Sequence, residues 1–402
     1  MTYFASMERQ RPSGKKTGFW TKFRWGFAII VLSSMLAIWI TGYSYIYKTL
    51  IYTYPDIDDI GLFDDRPIMD TVGVQWPNAA RYNKDSLPIE TRAKLEETES
   101  VAFLIIKNDS VVHEEYWDHY SENQLSNSFS MAKSIVSILV GIASEEGYFS
   151  LDDSVGKYLP EFRKGMNAKL KIRHLLYMSS GLDWDEAYNS LFSKTTEAYY
   201  GSDLKGQVLK LKVVREPGTK FEYMSCNTVL LSLIINKTTG KTISDFASEK
   251  LWKPIMATDQ AYWSLDHNGG LEKSYCCFYS CARDFARIGK LYMDSGAWNG
   301  HQLVSKDFVK FSLTPNAIPD ETKNPVDYYG AHWWLMNHNG HEIFYARGIL
   351  GQYIISIPDE RMIIVRLGKK RGNKTADNHY DDMLQYVDGA LKLYSTKSDS
   401  LQ

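Results

Sequence analysis

Cysteine is scarce in this chain: Cys226, Cys276, Cys277 and Cys281 are the only four in 402 residues. Their spacing supplies neither a disulfide framework nor a zinc site. Cys276 and Cys277 are adjacent, an arrangement that rarely pairs, and Cys281 follows at what reads as the start of the next helix. No C-x-x-C pair or neighbouring histidine offers metal ligands, so buried free thiols are expected. Clustered cations are also missing beyond residue 24. Residues 1–24 hold Arg9, Arg11, Lys15, Lys16, Lys22 and Arg24 against Glu8, which makes that segment +5 and leaves −7 for the rest of a −2 chain. A mildly acidic body gives nucleic-acid phosphates nothing to bind. Internal repeats and low-complexity tracts are absent. His113-Glu114-Glu115 lacks the second histidine of a zinc protease, Gly240-Lys241-Thr242 lacks the earlier glycine of a phosphate loop, and no serine sits in G-x-S-x-G.

With 44% hydrophobic, 14% aromatic and 23% charged residues, the chain can bury one large core or two small ones. Residues 25–47 carry no charge until Lys48 and are long enough, at about 1.5 Å per residue, to cross a hydrocarbon core of about 30 Å. The segment reads as a transmembrane anchor contacting the lipid bilayer, with Trp20, Trp25, Tyr43, Tyr45 and Tyr47 as interfacial aromatics and residues 1–24 as a basic cytoplasmic tail. The body is then outside the cytoplasm, on the periplasmic side of the inner membrane in a Gram-negative host. A cleaved signal peptide fits less well, because bulky Met35-Leu36 precedes Ala37 where a small-x-small site is needed. Residues 48–75, rich in Asp with Pro55 and Pro67, read as an extended linker, 76–395 as the folded domain and 396–402 as a C-terminal tail.

Within the domain, 101–106 and 111–117 are β-rich runs separated by the hairpin signal Lys107-Asn108-Asp109-Ser110. Residues 342–346, 352–357 and 362–367 are three more strand candidates, followed by a helix pattern over 379–394. Between them, 130–146, 171–178, 226–239, 243–250 and 281–295 carry apolar residues at three- and four-residue spacing. The expected fold is α/β: an antiparallel sheet of about five strands drawn from both chain ends, flanked by helices, with an inserted, mainly helical region.

Ser130-Met131-Ala132-Lys133 is an S-x-x-K motif, which Ser13/Lys16, Ser154/Lys157 and Ser202/Lys205 also match. Context separates Ser130. It follows Asn127-Ser128, good N-cap residues, and opens a helix that is apolar or small until Glu145, with Lys133 one turn on as its one earlier charge. A lysine buried in such a helix is costly unless it is paired or neutralised, and a neutral lysine can take a proton from the adjacent hydroxyl. The N–H groups at the helix start favour negative charge on the serine oxygen.

Several ordered stretches resemble the class C β-lactamase-like family of serine hydrolases from about residue 76 to 395. They are Ser128-Phe129-Ser130-Met131-Ala132-Lys133-Ser134, Leu151-Asp152-Asp153-Ser154-Val155, Tyr158-Leu159-Pro160, Ile172-Arg173-His174-Leu175-Leu176, Met178-Ser179-Ser180-Gly181-Leu182, Glu216-Pro217-Gly218, Ala282-Arg283-Asp284-Phe285-Ala286 and Ala346-Arg347-Gly348. Within that β-lactamase/penicillin-binding superfamily the chain looks most like the 6-aminohexanoate-oligomer hydrolases and related esterases. The resemblance implies Ser130 as the acylated nucleophile, Lys133 as its activating lysine and Tyr223 as the tyrosine that passes protons beside them. Asn227 stands four places after Tyr223 instead of the family's two, as a substrate contact displaced in spacing. Ala346-Arg347-Gly348 replaces Lys-Thr-Gly or His-x-Gly, which implies Ile349 N–H as the oxyanion partner of Ser130 N–H and puts Arg347 and Gly348 in the substrate site. Tyr188 matches a second cleft tyrosine.

The expected chemistry is acyl transfer to and from Ser130 on a small amide or ester, with Lys133 or Tyr223 as base and no metal or organic cofactor. A cell-wall DD-peptidase or β-lactamase is the alternative enzyme, and a noncatalytic penicillin-binding-like sensor or scaffold the alternative of another class. Loss of the lysine before Gly348 predicts a preference for esters and linear amides over penicillins and cephalosporins.

Overall fold

The computed structural model describes residues 17–395; the basic residues at 9–16 and the tail at 396–402 lie outside the described residues. The chain divides into two compact units, residues 1–53 and 54–402.

In the first unit, Thr17–Ile40 is one 24-residue helix. It already covers the eight residues before the expected anchor, because Lys22 and Arg24 are good helix formers and do not interrupt it. It stops at Thr41-Gly42, where Gly42 adopts φ +82°. The expected span to residue 47 is thereby corrected: Tyr45–Tyr52 is a separate short helix. The Gly18–Ile40 stretch is long and apolar enough to cross a membrane, and its Trp25, Phe27, Ile30, Leu32 and Trp39 side chains are exposed.

The second unit is built on strands β1 (Asp65–Ile68), β2 (Ser100–Lys107), β3 (Ser110–Tyr116), β4 (Ser126–Asn127), β5 (Ala261–Ser264), β6 (Phe278–Ser280), β7 (Ala297–Trp298), β8 (His301–Gln302), β9 (Trp334–His338), β10 (His341–Gly348), β11 (Gln352–Ile357) and β12 (Met362–Gly368). The main sheet is antiparallel with order β3-β2-β12-β11-β10-β9, so both chain ends contribute to it, as expected. Edge strand β9 is a sixth member that periodicity does not reveal. The β2–β3 hairpin turns at Asn108 and Asp109, with φ +49° and +61°, the left-handed pair that suits a tight hairpin.

Both faces of the sheet are covered, which is why 101–106 reads as an unbroken apolar run. Ile355, Ile357 and Ile364 pack with Met383, Tyr386 and Val387 of helix Asp381–Tyr394. Ile354, Ser356 and Ile363 point the other way, toward Gly289 of helix Ala282–Met293, where a Cβ would come within 2.9–3.1 Å of them.

A smaller sheet has order β1-β5-β6-β4. Strand β1 comes from the segment that reads as linker, and Ile57 and Ile68 are fully buried, so that segment is part of the folded body. The cysteine expectation is half corrected. Cys226 and Cys281 are buried free thiols, but Cys276 and Cys277 form a disulfide. Cys277 sits at φ +62°, a local backbone state that spacing does not convey.

Candidate active site

The loop from β4 delivers Ser130. Asn127 is fully buried, and its Oδ1 accepts the N–H of Phe129 (2.9 Å) and of Cys277 (3.1 Å) while Nδ2 donates to Tyr279 (3.2 Å). This holds Phe129 at φ +43° and sets Ser130 at the start of helix Met131–Glu145. The N-cap is thus Ser130 itself, and its side chain makes no capping bond. Its hydroxyl is instead the acceptor of Lys133 Nζ at 2.9 Å.

Lys133 is 1% exposed. Besides Ser130 Oγ, Nζ donates to the carbonyl of Tyr275 (3.0 Å), and it lies 5.0 Å from the Tyr223 ring centroid and 5.5 Å from that of Tyr275. Tyr223 precedes helix Ser225–Thr239 and packs against Trp334 of β9 and Tyr329, with centroids 5.7 and 6.0 Å away. Burial holds the Tyr275 and Tyr329 hydroxyls well above the usual phenol range, so both stay neutral.

The end of β10 forms the opposite wall. A Cβ on Gly348 would fall 2.4 Å from the Ser128 carbonyl, so only glycine lets this strand approach the serine loop. The Ile349–Gly351 turn is held from below by fully buried Arg366, which donates to the carbonyls of Leu350 (2.9 Å) and Gly351 (2.8 Å), and by Gln352 Nε2, which donates to that of Ile349 (3.2 Å). Arg347 lays its guanidinium on Trp334, 3.1 Å from the centroid, and donates Nη1 to Asn378 O at 2.6 Å.

A cleft of about 230 Å³ collects these groups: Ser130, Tyr188, Tyr223, Trp334, Arg347, Gly348 and Ile349 line it, with Tyr328, Arg371 and Lys374. Lys133 lies beneath the surface of the cleft, reaching it through its hydrogen bond to Ser130. Tyr188 donates its hydroxyl to Glu186 (2.5 Å), whose carboxylate also accepts Trp184 Nε1 and the N–H and hydroxyl of Ser225. Asn227 is not brought into this group. It is fully buried, its Nδ2 directed at Met178 Sδ (3.3 Å), because helix Ser225–Thr239 has already begun and turns it into the core. The substrate-contact expectation for Asn227 is therefore corrected. Sequence reasoning misses Asn127 as an anchor, Tyr275, Glu186, Trp334 and Arg366. A larger groove of about 1000 Å³ beside β9 and β10 shares Tyr328 and Asn378 with the cleft but contains neither Ser130 nor Tyr223. Asp259, Cys281 and Asp284 place metal-type atoms within 4.8 Å of one another, but Asp284 is already committed to Arg287 and to the N–H groups of Thr258 and Asp259.

The fold and the sequence agree with known proteins. Residues 89–387 match the β-lactamase family, and the chain belongs to that family. It is 27% identical over 297 residues to a 6-aminohexanoate-dimer hydrolase of Paenarthrobacter ureafaciens, covering 68% of this chain and 74% of that protein. A Bacillus anthracis structure provisionally described as a 6-aminohexanoate-dimer hydrolase superposes with a TM-score of 0.72 at 20% identity, over 86% of this chain and 94% of that one. A family VIII carboxylesterase does so at 0.61 and 16%, over 79% and 99%. The protein is a serine hydrolase of the β-lactamase/penicillin-binding fold.

Beside helix Met131–Glu145, His332 is fully buried: its Nδ1 donates to Leu176 O (2.9 Å), leaving Nε2 to accept from Thr228 (3.0 Å). Burial, then the nearby Lys133 charge, pushes its pKa down to about 3. The unfolded chain, with a histidine pKa near ~6.5, binds this proton first. Stability from this group is therefore complete above about pH 6.5 and is lost as pH falls toward 3. Urea unfolding should show a loss of about 2 kcal/mol between pH 6.5 and 5 in the wild type that is missing in His332→Asn. Equal pH dependence of the two proteins would contradict a neutral buried imidazole.

Proposed function

We propose that this protein is a membrane-anchored serine hydrolase that cleaves small amide or ester substrates through an acyl-enzyme on Ser130, activated by Lys133 and Tyr223. The observation that carries the reading is the 2.9 Å hydrogen bond between Lys133 Nζ and Ser130 Oγ at the foot of the cleft. Ser130 Oγ attacks the substrate carbonyl and its proton passes to Lys133 Nζ, while the N–H groups of Ser130 and Ile349 receive the oxyanion. The tetrahedral intermediate collapses, and the amine or alcohol leaves with a proton delivered by way of Tyr223. Water then attacks the acyl carbon, gives its proton back to the same pair, and the acid departs as Ser130 regains its hydrogen.

Tyr188, Arg347 and the Gly348 backbone form the substrate walls. Arg347 has one face on Trp334 and one nitrogen on Asn378, which favours a wall over a free carboxylate clamp and so favours esters and linear amides over β-lactams. The name of the Paenarthrobacter relative supports an amide substrate class. One kinetic comparison tests both parts. Wild type should turn over p-nitrophenyl butyrate with a kcat/KM about tenfold or more above that for nitrocefin, the size of one lost charge-assisted hydrogen bond. Ser130→Ala should abolish ester turnover and keep the fold. Turnover by folded Ser130→Ala would sink the mechanism. Nitrocefin as good as the ester would show that Arg347, Arg371 and Lys374 hold a carboxylate, which is the β-lactamase or DD-peptidase reading.

The anchor reading rests on the exposed apolar surface of Thr17–Ile40 and on the cations before and within its first turns. The domain is then outside the cytoplasm. The protein should stay in the membrane fraction through a high-salt wash; a soluble form beginning near residue 45 would mean a cleaved signal peptide instead.

A further inference from the structure

The Cys276–Cys277 disulfide lies beside two hydrogen bonds that each reach the Ser130 loop or Lys133. On its N-terminal side the Tyr275 carbonyl accepts Lys133 Nζ at 3.0 Å. Within the ring that the disulfide closes, the Cys277 N–H donates to Asn127 Oδ1 at 3.1 Å, the same oxygen that holds Phe129 N–H next to Ser130. The pair is tied to strand β5 as well: Trp263 Nε1 donates to the Cys276 carbonyl (2.8 Å) and Ser264 N–H to that of Cys277 (3.0 Å). Cys277 occupies the left-handed region at φ +62°, which is unfavourable for an L-residue other than glycine. The disulfide closes a small ring through the peptide between the two residues and restricts the rotations that would relieve that cost.

We propose that the Cys276–Cys277 disulfide is a positioning element for Ser130 and Lys133, so that the oxidised chain is the fully active form and its two-electron reduction by a dithiol lowers turnover. The inference rests on the Ser130/Lys133 reading above. In the reduction, a dithiol supplies two electrons and two protons; the S–S bond breaks, two thiols form, and the dithiol leaves as its own disulfide. Two unbonded sulfurs cannot remain at bonding distance. Both residues are buried, at 4% and 0% exposure, so the side chains separate only by moving backbone. The backbone that moves carries the Tyr275 carbonyl and the Cys277 N–H. Lys133 and the turn before Ser130 then lose their registration, while the cleft walls at Trp334, Arg347 and Gly348, which belong to other elements, stay in place. The effect falls on kcat and leaves KM.

The test uses the full-length chain isolated without reductant. Alkylation of the unfolded protein followed by intact mass should find two free thiols, from Cys226 and Cys281. Dithiothreitol, with reduction followed by mass, should lower kcat for p-nitrophenyl butyrate by on the order of ten- to a hundredfold, the cost of displacing reacting groups by about an ångström, with KM unchanged and activity restored on reoxidation. Cys276→Ser, and Cys276→Ser with Cys277→Ser, should show the low kcat without reductant and no further response to it. Cys226→Ser with Cys281→Ser should keep the response. Four alkylated thiols, full kcat in the reduced protein or in a folded serine variant, or a loss that follows KM and melting temperature together would each overturn the proposal. An oxidised wild type with no esterase activity would instead defeat the Ser130/Lys133 reading.

Discussion

A lysine amino group buried beside Ser130 is the constraint around which this structure is arranged. Lys133 is 1% exposed, and among the described residues no carboxylate lies within ion-pair distance of it. An amino group in that position is costly to bury unless other groups take the place of water. A serine hydroxyl, a backbone carbonyl and two aromatic faces do so here, from Ser130, Tyr275 and Tyr223. Each of these comes from a different stretch of chain. Satisfying one buried amino group therefore brings together the start of helix Met131–Glu145, the turn before β6 and the approach to helix Ser225–Thr239.

The walls follow from a second requirement, close backbone approach. Gly348 lets the end of β10 reach the Ser128 carbonyl, and Arg366 ties the following turn to the sheet through the carbonyls of Leu350 and Gly351. Asn127 does the equivalent work on the serine side by binding two N–H groups with one oxygen. The residues that face substrate in the proposed mechanism thus rest on buried polar groups whose bonds are internal.

What is legible in the sequence is what is local. The three-residue spacing of Ser130 and Lys133 places them on one helix face, and the apolar run after them is itself a signal of burial. The five expected strands follow from β-rich runs bounded by turn residues, and most helices from apolar residues at three- and four-residue spacing. Tyr223 and Ile349 have no local signal and are reached only through family motifs. Tyr275, Asn127, Glu186 and Trp334 matter because distant segments meet, which a linear pattern does not encode. The errors have the same origin. Resemblance to the family's Tyr-x-Asn element puts Asn227 at the substrate despite its displaced spacing, but the helix that begins at Ser225 rotates it inward. The rarity of paired neighbours argues for free thiols at Cys276 and Cys277, while the structure pairs them with Cys277 at a left-handed φ. The acidic segment before residue 76 reads as linker because four residues of β1 are too few to show an alternation.

The central claim is that Ser130 is the residue acylated during turnover, with Lys133 drawing off its proton. Intact mass of the full-length protein treated with a fluorophosphonate, followed by peptide mapping, tests it most directly. The account predicts a single adduct on Ser130 in the wild type and markedly slower labelling in Lys133→Met with the fold retained. Labelling at another residue, or Lys133→Met labelled as fast as the wild type, would contradict it.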